Sequence, residues 1–112
     1  IVDALLSAAG LGDIGSNFGT DRPEYSGASG EVFLTKTVEL ISGAGYKTIN
    51  VSVQVVGDKP KISPRRQELE QRLSGLVGAP VSVLATTTDG LGFLADAKGV
   101  AAVATSLIQK RG

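Results

Sequence analysis

Three consecutive hydroxyl side chains and a carboxylate follow an apolar stretch of the chain. Residues 84–90 read LATTTDG, so Thr86, Thr87 and Thr88 precede Asp89. Threonine hydroxyls at a strand end can donate to phosphate oxygens, and a neighbouring carboxylate can bind the divalent ion that a diphosphate carries. Threonine also favours strands and Asp-Gly favours turns, so a strand and a bend explain the same residues without a ligand.

A second polar loop follows the other predicted strand. Residues 55–62 read VVGDKPKI, which places Gly57 and two lysines at the end of an apolar run. The loop is interpreted either as a solvated turn or as backbone that approaches a nucleotide, with a lysine near its phosphates. If the two strands are parallel neighbours, both loops lie at one rim of the sheet.

Residues 10–15 read GLGDIG and match the spacing G-x-G-x-x-G. A dinucleotide-binding turn must follow a strand and open a helix, whereas this one ends a predicted helix, so we reject that function. The glycines are typical of a helix C-terminus and a tight turn. The loop of about twenty residues is longer than most loops without a function. Its polar residues include Asp13, Ser16, Asn17, Thr20 and Asp21.

Composition limits the functions open to the chain. It has 112 residues, enough for a single domain over residues 1–112, and 11 basic and 11 acidic residues give zero formal charge. We therefore expect no nucleic-acid partner. The longest apolar segment, residues 99–108, is shorter than the roughly 20 residues of a membrane span, so we expect no membrane association. With neither cysteine nor histidine, the chain suits the cytoplasm and could bind a metal only through oxygen ligands.

The apolar periodicity predicts an α/β domain with helices packed on one face of a sheet. Because two strands are too few for such a sheet, and because Ile1 begins inside a helix without a cap, we expect further strands upstream and an N-terminally incomplete domain. The predicted helices cover residues 1–9, 29–41, 64–77 and 97–109, and the predicted strands cover residues 47–56 and 81–87.

Four ordered motifs resemble the 2-C-methyl-D-erythritol 2,4-cyclodiphosphate synthases of the non-mevalonate isoprenoid pathway. They are DALL (3–6) with GDIG (12–15), the Pro60-Lys61 loop, ATTTD (85–89) with LGF (91–93), and the alanine-rich C-terminal segment. The resemblance implies a homotrimer-type subunit with active sites between neighbouring subunits. It also implies a phosphorus-oxygen lyase that converts 4-diphosphocytidyl-2-C-methyl-D-erythritol 2-phosphate to the 2,4-cyclodiphosphate and releases CMP.

The resemblance also assigns roles to residues. It implies that Thr87 stabilises the transition state and that Asp89, in place of the usual Glu, binds magnesium. Substrate-binding residues are implied at Asp13, Ile14, Gly15, Phe18, Gly19, Thr20, Asp21 and Arg22 for ribose and methylerythritol, at Gly57, Asp58, Lys59, Pro60, Lys61, Ile62 and Ser63 for cytidine, and at Thr86, Thr87, Thr88, Asp89 and Phe93.

The chain departs from the family pattern in three places. Family members hold zinc with an Asp-x-His pair and a further His before the DALL helix, and since this chain has no histidine we expect those ligands upstream. Asp89 is one methylene shorter than Glu. Asp96 and Lys98 stand at the usual Arg and Glu positions, so the phosphate contact of that Arg does not transfer. The alternative function is a trimeric nucleotide- or small-ligand-binding scaffold without catalysis.

Overall fold

The fold was analysed in a computed structural model that describes residues 1–19, 29–57, 63–86 and 101–111. The described ranges contain helices α1 to α4, a 3-10 turn and strands β1 to β3. In chain order they are α1 (Val2–Ala8), α2 (Ile14–Phe18), α3 (Gly30–Gly43), β1 (Tyr46–Val56), the 3-10 turn (Ser63–Arg65), α4 (Arg66–Val77), β2 (Val81–Thr86) and β3 (Ala101–Lys110). The predictions of α1, α3, β1, α4 and β2 are confirmed. None of these helices is long and apolar enough to cross a membrane.

The described strands form one mixed sheet in the order β2-β1-β3. β1 and β2 run parallel, with Val51 opposite Val81 and Val56 opposite Thr86. β3 runs antiparallel to β1, with Ala101 opposite Val56. The condition set by the sequence, that the two predicted strands are parallel neighbours, is therefore met.

The prediction of a final helix over residues 97–109 was wrong where the structure describes it. Residues Ala101–Lys110 form β3, so the described sheet has three strands and not the two predicted. Alanine-rich residues with an apolar side chain at most positions fit both the helical and the strand period. Pairing along β1 decides between them, because the strand turns Ala104 and Ile108 toward the hydrophobic core. Tertiary contacts here override local helix propensity.

The hydrophobic core lies between the sheet and one layer of helices. α1, α3 and α4 pack against the same face, as predicted, while the opposite face of the sheet is exposed. This exposed face of the sheet, here called the open face, includes Leu84, Val103 and Leu107, whose exposures are 47%, 62% and 55%. The buried cluster consists of Leu5, Leu34, Ile41, Val51, Val53, Val77, Val81 and Val83.

Candidate functional site

The last residues of β1 and β2 and the first residue of β3 lie side by side at one end of the described sheet, which we call the rim. The backbone N–H of Gly57 donates to the carbonyl oxygen of Thr86 at 3.0 Å, and Ala101 begins β3 opposite Val56. Two of the predicted site residues, Gly57 and Thr86, are thus directly bonded. The two polar loops found in the sequence begin side by side at the rim.

Gly57 has a backbone conformation that few other residues adopt. Its φ is 153°, in the positive range that disfavours side chains. A glycine immediately after β1 therefore lets the chain leave the strand while its N–H still bonds to Thr86. The glycine noted in the sequence has a local structural reason, independent of any ligand.

Most of the predicted rim residues lie outside the described ranges. Ser63 begins the 3-10 turn that leads into α4, and its side chain is not described. The predictions that also fall outside are Thr20, Asp21, Arg22, Asp58, Lys59, Pro60, Lys61, Ile62, Thr87, Thr88, Asp89, Phe93, Asp96 and Lys98. Their roles stay predictions.

The GLGDIG turn has the structure expected of a helix C-terminus. Gly10 has a φ of 72°, its N–H donates to Ser7 O at 3.0 Å, and the Leu11 N–H donates to Leu6 O at 2.8 Å. These two bonds satisfy carbonyls at the end of α1 in the way of a Schellman motif. The interpretation as a helix end with a tight turn is confirmed.

The polar residues after this turn build a short helix that the sequence analysis missed. Asp13 Oδ1 accepts from the Ser16 N–H at 2.8 Å, and the Asp13 N–H donates to Ser16 Oγ at 3.0 Å, which forms a capping box at the start of α2. Asp3 Oδ1 accepts from the Ile14 N–H at 2.8 Å and ties α2 to α1. The Asp-x-x-Ser spacing was the signal that could have predicted this helix.

The predicted substrate residues of this segment have distinct environments. Ile14, Gly15 and Gly19 are exposed, whereas Phe18 is 3% exposed and its ring centroid lies 5.4 Å from that of Phe33. Phe18 therefore anchors α2 to α3, and Asp13 caps α2. Their contacts with a substrate stay predictions.

The Asp13 cap should make the thermal stability of the protein depend on pH. The backbone N–H of Ser16, and then its side chain, lower the pKa of Asp13 below its ordinary value of 3.8. A lowered folded pKa means that the stabilisation is complete above the ordinary value and is lost as the pH falls through the lowered pKa. We expect Asp13→Ala to lower the melting temperature at neutral pH and to have a smaller effect in acid.

Thermal melts at several pH values measure this difference. Asp13→Asn is the matched control, because its amide oxygen can still cap the helix but does not titrate. The assignment is contradicted if Asp13→Ala and the native protein differ equally at neutral and acidic pH.

No group of metal-binding side chains is found at the described part of the rim. Within the described ranges, acidic residues do not form a group of three or more that could hold a metal ion. An open cleft of about 400 Å³ lies at the opposite end of the sheet and is lined by Lys47, Gln109, Lys110 and Arg111. It contains none of the predicted site residues, so the candidate site remains the rim.

The chain as a whole is similar to known proteins. Residues 1–109 match the model of the YgbB family. The chain is 64% identical over 108 residues to the bifunctional enzyme IspD/IspF of Clavibacter michiganensis subsp. michiganensis, covering 96% of this chain and 26% of that enzyme. It is 54% identical over 108 residues to the 2-C-methyl-D-erythritol 2,4-cyclodiphosphate synthase of Acidothermus cellulolyticus, covering 96% of this chain and 67% of that enzyme.

A solved structure gives the same comparison in three dimensions. The chain superimposes on a 2-C-methyl-D-erythritol 2,4-cyclodiphosphate synthase in its CDP-bound form with a TM-score of 0.85 and 37% identity, covering 96% of this chain and 71% of that one. Like the two sequence relatives, that protein is longer than this chain.

Proposed function

The chain belongs to the YgbB family, and from this membership we propose that the protein carrying it is a cyclodiphosphate synthase. It converts 4-diphosphocytidyl-2-C-methyl-D-erythritol 2-phosphate to 2-C-methyl-D-erythritol 2,4-cyclodiphosphate and releases CMP, in non-mevalonate isoprenoid synthesis. The observation that carries the proposal is the match over residues 1–109. We further propose a single domain over residues 1–112 and, from the cysteine-free sequence, a cytoplasmic location.

The reaction needs alignment and charge stabilisation more than covalent help from the protein. An oxygen of the 2-phosphate attacks the β-phosphorus, and the bond from that phosphorus to the CMP oxygen breaks. We propose that the Thr87 hydroxyl donates to the phosphate as charge develops, with Thr86 and Thr88 on either side. The bond between Gly57 and Thr86 supports this proposal, because it brings the first residue of the proposed cytidine loop and the first threonine of the hydroxyl run together at the rim.

Cytidine and sugar contacts are proposed from the family resemblance. Residues 57–63 would bind cytidine, and Asp13 to Gly15 with residues 18–22 would contact ribose and methylerythritol across a subunit boundary. The solved relative in its CDP-bound form supports a cytidine nucleotide as the ligand.

A divalent metal is part of the proposal, but the described residues do not provide its site. Asp89 is the proposed magnesium ligand, with a hard carboxylate oxygen as that ion prefers. The histidines that bind zinc in the family pattern would lie outside residues 1–112, since the chain has no histidine. Bound metal would offset phosphate charge in the reaction.

The open face supports self-association of the chain, and the family resemblance suggests three copies. Gln54 of β1 lies between Leu84 and Val103 in register, and Leu107 lies opposite Asn50 on the same surface. Three apolar side chains that are about half exposed on one sheet face indicate an association surface. We propose that three copies of the chain pack through this face, with the rim of each subunit beside the α2 segment of a neighbour.

Metal content and CMP release together test the function. The intact protein, purified and analysed for zinc and magnesium, should release CMP from the diphosphocytidyl substrate in a metal-dependent reaction. A protein that binds CDP but releases no CMP with either metal would instead be the non-catalytic scaffold. A protein that does neither would refute both functions.

Lys61 provides a separate test of the cytidine loop. We expect Lys61→Ala to weaken CDP binding by roughly tenfold, since one ammonium–phosphate contact at a partly dry site contributes about 1–2 kcal/mol. Titration calorimetry measures the change. Lys36→Ala, on an exposed position of α3, is the control and should leave the affinity unaltered; equal affinities for all three proteins would remove Lys61 from the pocket.

A further inference from the structure

The outer edge of β2 is bonded to α4 and not to another strand in the described sheet. β2 pairs with β1 on its inner side only. On the other side, the Val81 N–H donates to Ser74 Oγ at 3.0 Å and the Val83 N–H donates to Glu70 Oε2 at 2.8 Å. Both bonds are partly buried.

The spacing of these bonds sets how α4 lies along β2. Four residues of helix rise about 6 Å and two residues of strand advance about 6.6 Å, so Glu70 and Ser74 match Val83 and Val81 along the strand. The helix therefore runs antiparallel to β2. Glu70 binds nearer the rim than Ser74 does, at Val83, which is three residues before Thr86.

Glu70 is well placed to hold β2 firmly. A carboxylate makes a stronger bond to an N–H than a hydroxyl does. The other carboxylate oxygen of Glu70, Oε1, lies 4.0 Å from Arg66 Nε, and the Glu70 side chain is 27% exposed. Glu70 belongs to α4, and an ion pair between Arg72 and Glu31 connects α4 to α3.

Two roles are compatible with such a contact. Side chains that occupy the free N–H groups of an edge strand prevent it from pairing with other chains. That role would be served equally by Ser74 and Glu70. A role in placing the rim would instead belong mainly to Glu70, because Val83, which it binds, is closer to Thr86 and its bond to Gly57 than Val81 is.

We propose that Glu70 is a positioning residue that fixes where the end of β2 presents Thr86 at the rim. The expected effect of Glu70 on nucleotide binding rests on the proposed function. The expected effect on the rim does not, because it is measured at the Gly57 N–H, which donates to the Thr86 carbonyl oxygen.

Amide hydrogen exchange and CDP titration of Glu70→Ala, Glu70→Gln and Ser74→Ala test the proposal in the intact protein. Relative to the amide of Ile41 in the core, we expect Glu70→Ala to speed exchange at Val83 and Gly57 by roughly tenfold or more, as the loss of a charged hydrogen bond implies. Glu70→Gln retains an acceptor and should restore protection at Gly57. Ser74→Ala should affect Val81 and leave Gly57 protected.

CDP affinity should follow Gly57 protection, falling several-fold in Glu70→Ala only. The proposal is overturned if Gly57 exchange is unchanged in Glu70→Ala, or if Ser74→Ala raises it equally, since either result leaves only edge protection. If the native protein fails to bind CDP, the proposed function falls while the exchange at Gly57 still decides the role of Glu70.

Discussion

Thr87→Val should lower the rate of CMP release by roughly 100-fold, the size of effect seen when one preorganised donor to a transition-state charge is removed. Valine has nearly the same shape as threonine and the same preference for extended backbone, so the substitution removes the hydroxyl and little else. Because the hydroxyl acts mainly when phosphate charge develops, CDP affinity should change much less than turnover. Steady-state kinetics and calorimetry on the intact, metal-loaded protein separate the two quantities.

Thr48→Val is the matched control for this experiment. Thr48 lies in β1 opposite Ile108, at the end of the strand remote from the rim. Thr48→Val also removes one threonine hydroxyl, but at a position far from Thr86, so turnover should stay close to that of the native protein. If Thr87→Val turned over as fast as the native protein, the assigned role of Thr87 would be refuted. A parallel loss of CDP affinity would instead make it a ground-state binding residue.

Leu107→Glu should dissociate the proposed trimer. Leu107 is 55% exposed on the open face of the chain, so a carboxylate there costs little in an isolated subunit. Burial of an unpaired carboxylate between subunits costs roughly 3 kcal/mol, which weakens association by more than about 100-fold. Light scattering at micromolar concentration should show a trimer for the native protein and smaller species for the variant.

Leu40→Glu is the control for surface charge. Leu40 is 40% exposed on α3, on the helical side of the molecule and away from the open face. It adds the same charge and should leave the trimer intact. A native protein that scatters as a monomer would count against the trimer itself, and dissociation by both variants would show that the open face is not the specific interface.

Local sequence signals were sufficient for much of the fold. The helical spacing of Val2, Leu5 and Leu6 predicted α1, and Gly10 marked where it ends. Alternation in residues 47–56 predicted β1, which the structure extends by one residue to Tyr46. These elements depend on contacts within a few residues, so the sequence alone contains their cause.

β3 shows where local signals fail. Residues Ala101–Lys110 alternate well enough for a strand and repeat well enough for a helix, and their alanines favour the helix. The long register with β1 resolves the choice, since pairing with a distant strand satisfies the backbone and directs Ala104 and Ile108 to the core. A single sequence does not specify which distant segment provides that partner.

The sequence by itself determined the candidate site residues and their order, which resembles that of the family: the polar turn before α2, the glycine after β1 and the hydroxyl run. Only the tertiary structure decided that Gly57 and Thr86 bond at one rim and that Glu70 holds β2 beside them. The physical reason is one of distance along the chain. Side-chain chemistry is encoded residue by residue, whereas parallel pairing and a contact between a helix and a strand edge exist only after remote segments have packed on a common core.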